Sequence, residues 1–164
     1  MNILVVNGPN LNLLGTREPN IYGNYTLTDI ENWLNNNIKN KAIKLDWYQS
    51  NHEGEIIDKL HMAMNENVDA IIINPGAYTH YSYAIRDAIA AISIPTVEVH
   101  LSKIKSREKF RRTSVIKDVC LKTFSGLERH SYLKAVNFLK TIASRLCCRS
   151  GLPVQGRAPE SGNK

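Results

Sequence analysis

The sequence predicts an α/β fold in which helices cover both faces of a five-stranded parallel sheet. Two short apolar runs, NILVV at residues 2–6 and AIII at 70–73, have the composition of strands that are buried on both faces. Segments with helical spacing alternate with the predicted strands, and this alternation favours right-handed crossover connections and parallel pairing. We therefore expect a flavodoxin-like three-layer sandwich.

Local patterns place the remaining elements. Thr28 and Glu31 form a possible capping box for the first helix. IKLDWY, at 43–48, alternates between apolar and polar residues as a half-buried strand does. The other predicted elements are a first helix with Leu27, Ile30, Leu34 and Ile38, a second helix with Ile57, Leu60 and Met64, a third helix over 82–92, strands over 95–100 and 118–124, and a last helix with Tyr132, Val136, Leu139, Ala143 and Leu146 on one face.

Length and composition indicate one soluble domain. The 164 residues, 43% hydrophobic and 22% charged, are enough for a single core, which we place in residues 1–146. Residues 147–164 lose all periodicity, and we expect a disordered tail there. No run reaches membrane-spanning length and the N-terminus has no secretion signal, so we expect a cytoplasmic protein without membrane contact.

The net charge of +6 is compatible with a nucleic-acid surface, an anionic small substrate or simple solubility. Few aromatic residues are interleaved with the basic run KIKSREKFRR at 103–112, which weakens the nucleic-acid interpretation. Cys120, Cys147 and Cys148 have neither a disulfide pattern nor a zinc-ligand spacing. From the cysteines we therefore expect reduced thiols and no metal. The first loop, NGPNLNLLG, lacks the glycine spacing of a dinucleotide site and the Lys-Ser/Thr pair of a phosphate loop, so we expect no nucleotide cofactor.

Polar residues follow three of the predicted strands. In open parallel sheets, ligands bind beyond the carboxyl ends of the strands, so these residues are candidates for one crevice. A module that binds a polyhydroxylated or nucleotide ligand without chemistry is the alternative to an enzyme. The candidate side chains are Asn10, Arg17, Tyr22, Asn74, His80, Glu98, His100 and Ser102.

Arg17 and Tyr22 lie within one short stretch, TREPNIYG. A tyrosine, with an ordinary pKa of about 10, can act as a base near neutral pH only if a positive charge favours the phenolate. Arginine supplies such a charge, which gives the hypothesis that Tyr22 removes a proton next to a ketone. The alternative is that the ring packs on the surface and the arginine is solvated.

Glu98 and His100 stand two residues apart on a predicted strand, so their side chains project from the same face. The carboxylate can accept a hydrogen bond from the imidazole and raise its basicity, which suits the histidine to proton transfer. A structural ion pair or a core histidine is the alternative. A metal site formed by His80, Glu98 and His100 is a weaker hypothesis, because no ligand spacing such as H-E-x-x-H is present.

Five ordered segments resemble the type II 3-dehydroquinate dehydratases of the shikimate pathway. They are NGPNLNLLGTREPNIYG, SNHEGEIID, INPGAYTHYSYAIRDA, PTVEVHLSKIKSREKFR and the aromatic-bearing last helix, and they cover residues 1–146. The resemblance implies a flavodoxin-like fold and loss of water from 3-dehydroquinate through an enolate, giving 3-dehydroshikimate without metal or organic cofactor. Aromatic biosynthesis and quinate breakdown both run through this reaction.

The resemblance also implies roles for matching positions. Tyr22 is the general base, Arg17 keeps it ionised, Asn10 holds a water against the enolate, and His100, oriented by Glu98, protonates the departing hydroxyl. Leu101 and Ser102 match the carboxylate site, whereas Asn74, His80 and Arg111 match contacts to ring hydroxyls. Asp87 matches a residue that reaches a neighbouring subunit's site, which implies a homo-oligomer of trimers grouped into a dodecamer. The chain departs from the family pattern at Lys103, Lys105 and Thr113, where the family usually has Asn, often His, and His.

Overall fold

The computed structural model describes residues 1–16 and 24–150, with side chains as far as residue 145. The strands of this part of the chain are β1 (Asn2–Asn7), β2 (Lys44–Gln49), β3 (Ala70–Asn74), β4 (Thr96–His100) and β5 (Lys122–Ser125). The helices are α1 (Leu27–Asn37), α2 (Glu53–Met62), α3 (Tyr83–Ile92) and α4 (His130–Ser150).

The five strands form one sheet in the order β2-β1-β3-β4-β5, and every neighbouring pair is parallel. The predicted five-stranded parallel sheet is therefore confirmed. This is the strand order of flavodoxin-like folds, in which the chain changes direction between the neighbours β1 and β3. A ligand crevice is expected at the carboxyl edge of these two strands, where their connections diverge.

Helices cover both faces of the sheet because the central strands carry apolar side chains on both faces. In β1, Ile3 and Val5 contribute to one buried cluster, whereas Leu4 and Val6 contribute to the other. The first cluster includes Ile30 and Leu34 of α1 with Tyr132, Val136 and Leu139 of α4. The second includes Ile56 and Leu60 of α2 with Ile85, Ile89 and Ile92 of α3. These two apolar interfaces, one on each face, hold the sheet between the helices and so fix the positions of its strand ends.

The capping box of α1 is formed by Thr26 and Asp29, so the assignment to Thr28 and Glu31 was wrong. Asp29 N donates to Thr26 Oγ1 at 3.1 Å, and Thr26 N donates to Asp29 Oδ2 at 3.0 Å. The reciprocal bonds satisfy backbone donors that the first turn leaves free. Since Leu27 is already helical, Thr28 and Glu31 lie inside the helix.

Two further boundaries differ from the prediction. The buried face of α2 contains Ile56 and Leu60, while Met64 lies past the helix end with 54% of its surface exposed. The strand predicted over 118–124 begins only at Lys122, because residues Lys117–Val119 form a 3₁₀ turn. In α4, Ala143 is exposed and does not share the buried face.

The last helix continues to Ser150, so residues 147–150, which the sequence places in the tail, are helical. Residues 151–164 of that predicted tail lie outside the described residues. Among the helices described, none combines the length and apolar character needed to cross a membrane.

Candidate active site

A cavity of about 170 Å³ opens at the carboxyl edge of β1, β3 and β4. Its walls come from the turn after β1, the 3₁₀ turn Gly76–His80 after β3, and the chain that follows β4. This is the position at which parallel sheets with this strand order bind ligands. The candidate residues that line it are Asn10, Asn74, His80, His100, Leu101, Ser102 and Arg111.

Two glycines allow the turns after β1 and β3 to meet at the cavity. A Cβ at Gly8 would lie 2.4 Å from the carbonyl oxygen of Pro75, so only glycine fits against that backbone. Gly76 has a φ of +59°, which a residue with a side chain adopts with difficulty. A hydrogen bond stabilises this contact between the two turns: Gly8 N donates to Asn74 O at 2.8 Å.

His100 and Glu98 form a buried hydrogen-bonded pair at the end of β4. His100 Nε2 lies 2.7 Å from Glu98 Oε1, and both side chains are almost completely enclosed. A carboxylate can only accept, so Nε2 carries the proton of this bond. The other ring nitrogen, Nδ1, is therefore the one through which His100 can exchange a proton with a ligand.

The carboxylate of Glu98 also accepts hydrogen bonds from three hydroxyl groups. Thr79 Oγ1 lies 2.5 Å and Ser114 Oγ 2.8 Å from Oε1, while Thr123 Oγ1 donates to Oε2 at 2.8 Å. These hydroxyls come from the turn after β3, the segment before β5, and β5 itself. With His100, four donors hold one buried charge, which is the condition under which burial of a charge is tolerated.

Glu98 is ionised over the whole physiological pH range. Burial by itself raises the pKa of this carboxyl, but the hydrogen bond and charge of His100, with the bonds from Thr79 and Ser114, outweigh burial and lower the pKa from 4.5 to about 2. The imidazole of His100 therefore faces a permanent negative charge.

His80 lines the cavity from the turn after β3. Its Nδ1 donates to the carbonyl oxygen of Thr113 at 2.7 Å, which leaves Nε2 as an acceptor in the neutral ring. Burial lowers the pKa of His80, although the bond to Thr113 opposes this. A neutral His80 suits a substrate hydroxyl, and the departure at Thr113 leaves this contact intact because it uses the backbone carbonyl.

Two further candidates, Asn10 and Arg111, also line the cavity. Asn10 has a φ of +65°, and its N–H donates to Asn51 Oδ1 at 2.9 Å, which orients the turn after β1. Arg111 places its guanidinium 4.9 Å from the centre of the Phe110 ring, with Nε 3.5 Å from Glu108 Oε2. Since Arg111 lines the cavity, it brings a positive charge to its rim.

Two of the predicted site residues in the described part of the chain, Asp87 and Glu98, do not line this cavity. Asp87 is on the exposed side of α3, with 73% of its side chain accessible, and its nearest charged partner is Arg86 at 3.3 Å. Arg17 and Tyr22 lie outside the described residues. Glu98 is behind His100 and reaches the cavity only through it.

Sequence reasoning missed the residues that support the site. Thr123 could have been found, because it pairs with Glu98 across the parallel β4–β5 ladder, and neighbours in register share a face. Thr79 and Ser114 give no such signal, since neither lies on a strand: Thr79 is in the 3₁₀ turn Gly76–His80 and Ser114 is in a segment without regular structure. Within residues 1–16 and 24–150, no cluster of three or more His, Cys, Asp or Glu side chains could hold a metal ion.

Comparison with known proteins gives a consistent family assignment. The family model for dehydroquinase class II matches residues 1–140. A 3-dehydroquinate dehydratase of Caldicellulosiruptor bescii is 56% identical over 140 residues, which are 85% of this chain and 97% of that protein. The crystal structure of a type II dehydroquinase from Butyrivibrio crossotus is 52% identical with a TM-score of 0.83, covering 85% of this chain and 97% of that one. The type II dehydroquinase of Propionibacterium acnes is 37% identical with a TM-score of 0.80, over 85% and 96% of the two chains.

Proposed function

The chain belongs to the dehydroquinase class II family, and on this basis we propose that it is a lyase that removes water from 3-dehydroquinate to give 3-dehydroshikimate. The reaction belongs to the shikimate pathway of aromatic amino-acid biosynthesis, and we place it in the cytoplasm. The observation that carries the proposal is the buried, ionised Glu98 bonded to His100 at the wall of the cavity.

The pair supplies the acid that the second half of the reaction needs. Once the enolate has formed, the electron pair on its oxygen regenerates the ketone. The electrons of the enolate double bond form the new ring double bond, and the bond between the ring and the departing hydroxyl breaks. His100 gives that oxygen a proton from Nδ1 and water leaves, while Glu98 holds the opposite nitrogen and stabilises the charged ring beforehand. Glu98 is thus a positioning residue that acts through His100.

The first half of the reaction needs a base. By the family resemblance, Tyr22 removes the proton from the carbon next to the ketone, and the charge of Arg17 keeps its phenol ionised. Asn10, which lines the cavity, holds a water against the developing oxyanion. The negative charge then passes from the tyrosine to the enolate oxygen, so that base and acid each handle one proton.

The cavity wall offers contacts for the rest of the substrate. We assign the substrate carboxylate to Leu101 and Ser102, at the end of β4, and the ring hydroxyls to Asn74, His80 and Arg111. A basic protein with Arg111 at the cavity rim suits an anionic substrate.

We propose further that the chain assembles as trimers grouped into a dodecamer, and that Asp87 reaches the site of a neighbouring subunit. Its carboxylate is exposed and lies on α3, where Tyr83 is also 65% exposed. Light scattering of the purified protein tests this: a monomer would contradict the assembly and leave Asp87 without a role in binding.

The activity is tested by ultraviolet absorbance after mixing the purified protein with 3-dehydroquinate, with and without a chelator. The product is a conjugated enone acid and the substrate is not, so turnover gives a rising signal, which we expect to be unaffected by the chelator. A flat trace from folded protein would contradict the proposed function, and a signal abolished by the chelator would contradict the reaction without metal.

Substitution of Tyr22 by Phe tests the base. The variant loses the only ionisable atom of that side chain, so we expect turnover to fall below detection while circular dichroism is unchanged. Tyr25→Phe is the matched control and should retain activity, because Tyr25 is exposed and does not line the cavity. Near-normal turnover of Tyr22→Phe would remove the tyrosine from the mechanism.

A further inference from the structure

A chain of buried polar groups runs beneath the cavity and ends at Asn74. Tyr132, on α4, is completely buried, and its hydroxyl donates to Asn7 Oδ1 at 2.6 Å. The hydroxyl oxygen of Tyr132 in turn accepts from Asn74 Nδ2 at 3.0 Å. Asn7 and Asn74 lie opposite each other at the ends of the adjacent strands β1 and β3, so the phenol bridges two strands at the edge that faces the cavity.

The direction of every bond in this chain is set by its two ends. At one end is the carbonyl of Tyr48, which can only accept, and it lies 3.5 Å from Asn7 Nδ2. At the other end is the N–H of Gly76, which can only donate, and it meets Asn74 Oδ1 at 3.3 Å. Both ends require the same arrangement, in which the Tyr132 hydroxyl donates to Asn7 and accepts from Asn74.

Burial removes any alternative partner for these groups. Asn7 is fully enclosed and Asn74 is 3% exposed, so water cannot replace a lost bond without entering the core. Burial also raises the pKa of Tyr132 well above the ordinary range, although the bond from Asn74 opposes this. The phenol therefore keeps its proton, and the chain keeps its direction, throughout the pH range in which the protein is folded.

We infer that Tyr132 is a positioning residue for substrate binding: it fixes the amide of Asn74, with Oδ1 at Gly76 and one amide hydrogen on the phenol, so that the second amide hydrogen is held ready for a substrate hydroxyl. This inference rests on the proposed function, because it takes Asn74 as a contact to the substrate. Without the phenol, the amide can rotate and lose that orientation.

The test is the Tyr132→Phe variant, which keeps the ring and removes only the hydroxyl. We expect KM for 3-dehydroquinate to rise and kcat/KM to fall by about tenfold or more, because misplacement of a positioning group lowers the effective concentration of the productive complex. Leu139→Ala is the matched control, since Leu139 is a buried residue of the same helix and no member of the polar chain. It should lower the melting temperature and leave KM unchanged.

A double-mutant cycle separates positioning from general destabilisation. If Tyr132 acts through Asn74, then Tyr132→Phe should change KM in the wild-type background and not in an Asn74→Ala background. Asn7→Ala breaks the chain from its other end and should also raise KM, which keeps the test available if one variant folds poorly.

The outcomes are distinguishable. An active wild type with unchanged KM in Tyr132→Phe, or equal effects of that substitution in both backgrounds, would overturn the role of Tyr132 and leave the proposed function standing. Folded wild-type protein that does not convert 3-dehydroquinate would overturn the proposed function itself, together with the premise of this inference.

Discussion

Two buried polar networks lie beneath the same cavity, and they are built differently. Around Glu98 a single charge is surrounded by four donors, His100 on the same strand and three hydroxyls from three other segments. Around Tyr132 the groups are neutral, and each link of the chain depends on one bond with one direction. A charge can be stabilised by any sufficient set of donors, whereas a neutral chain requires every link. The first network therefore controls protonation, and the second controls orientation.

The largest effect should come from removing the charge of the first network. Glu98→Gln keeps the shape of the side chain but offers His100 no negative charge, so Nε2 loses its charged hydrogen-bond partner. We expect kcat to fall by about a hundredfold or more, as for loss of a general acid. The measurement is steady-state turnover near neutral pH, and an unchanged kcat would mean that Glu98 is only structural.

The same charge should appear as a pH dependence of stability. The pKa of Glu98 is lowered on folding from 4.5 to about 2, so the unfolded chain binds more protons between these values and the stabilisation is lost as the pH falls. For this buried group it amounts to about 3 kcal/mol, present above pH 4.5 and gone near pH 2. Urea unfolding of wild type and Glu98→Gln should converge over this window, and a constant difference between them would contradict the prediction.

A smaller effect should distinguish a charged acceptor from a neutral one. Thr123→Val removes one donor to Glu98 and should cost about 2 kcal/mol, as for a bond to a charged group. Thr96→Val is the matched control, because the Thr96 hydroxyl donates to the neutral carbonyl of Ile94 at 2.9 Å and should cost about 1 kcal/mol. Equal losses of unfolding free energy would remove the distinction between the networks.

Much of the fold follows from short-range pattern. The apolar run of β1 and the polar residues directly after β1, β3 and β4 are visible in the sequence, and the alternation of Glu98 and His100 on one strand places both on one face. The predicted helix boundaries were less accurate where two nearby residues could each act as the N-cap, as Thr26 and Thr28 could at the start of α1.

The supporting residues could not be predicted in the same way. Tyr132 and Asn7 are 125 positions apart, and Ser114 belongs to a segment without regular structure. A tyrosine on the apolar face of a helix has the same sequence signature whether its hydroxyl is buried in a network or reaches solvent. Only the packing of α4 against β1 and β3 brings the phenol between two asparagine side chains.

The most direct test of the account is turnover of 3-dehydroquinate by the wild-type chain and by His100→Ala, purified in the same way and followed by the absorbance of the conjugated product. We expect a rising signal from wild type and a rate at least about a hundredfold lower from the variant, with unchanged circular dichroism. Equal rates, or no product from folded wild-type protein, would contradict it.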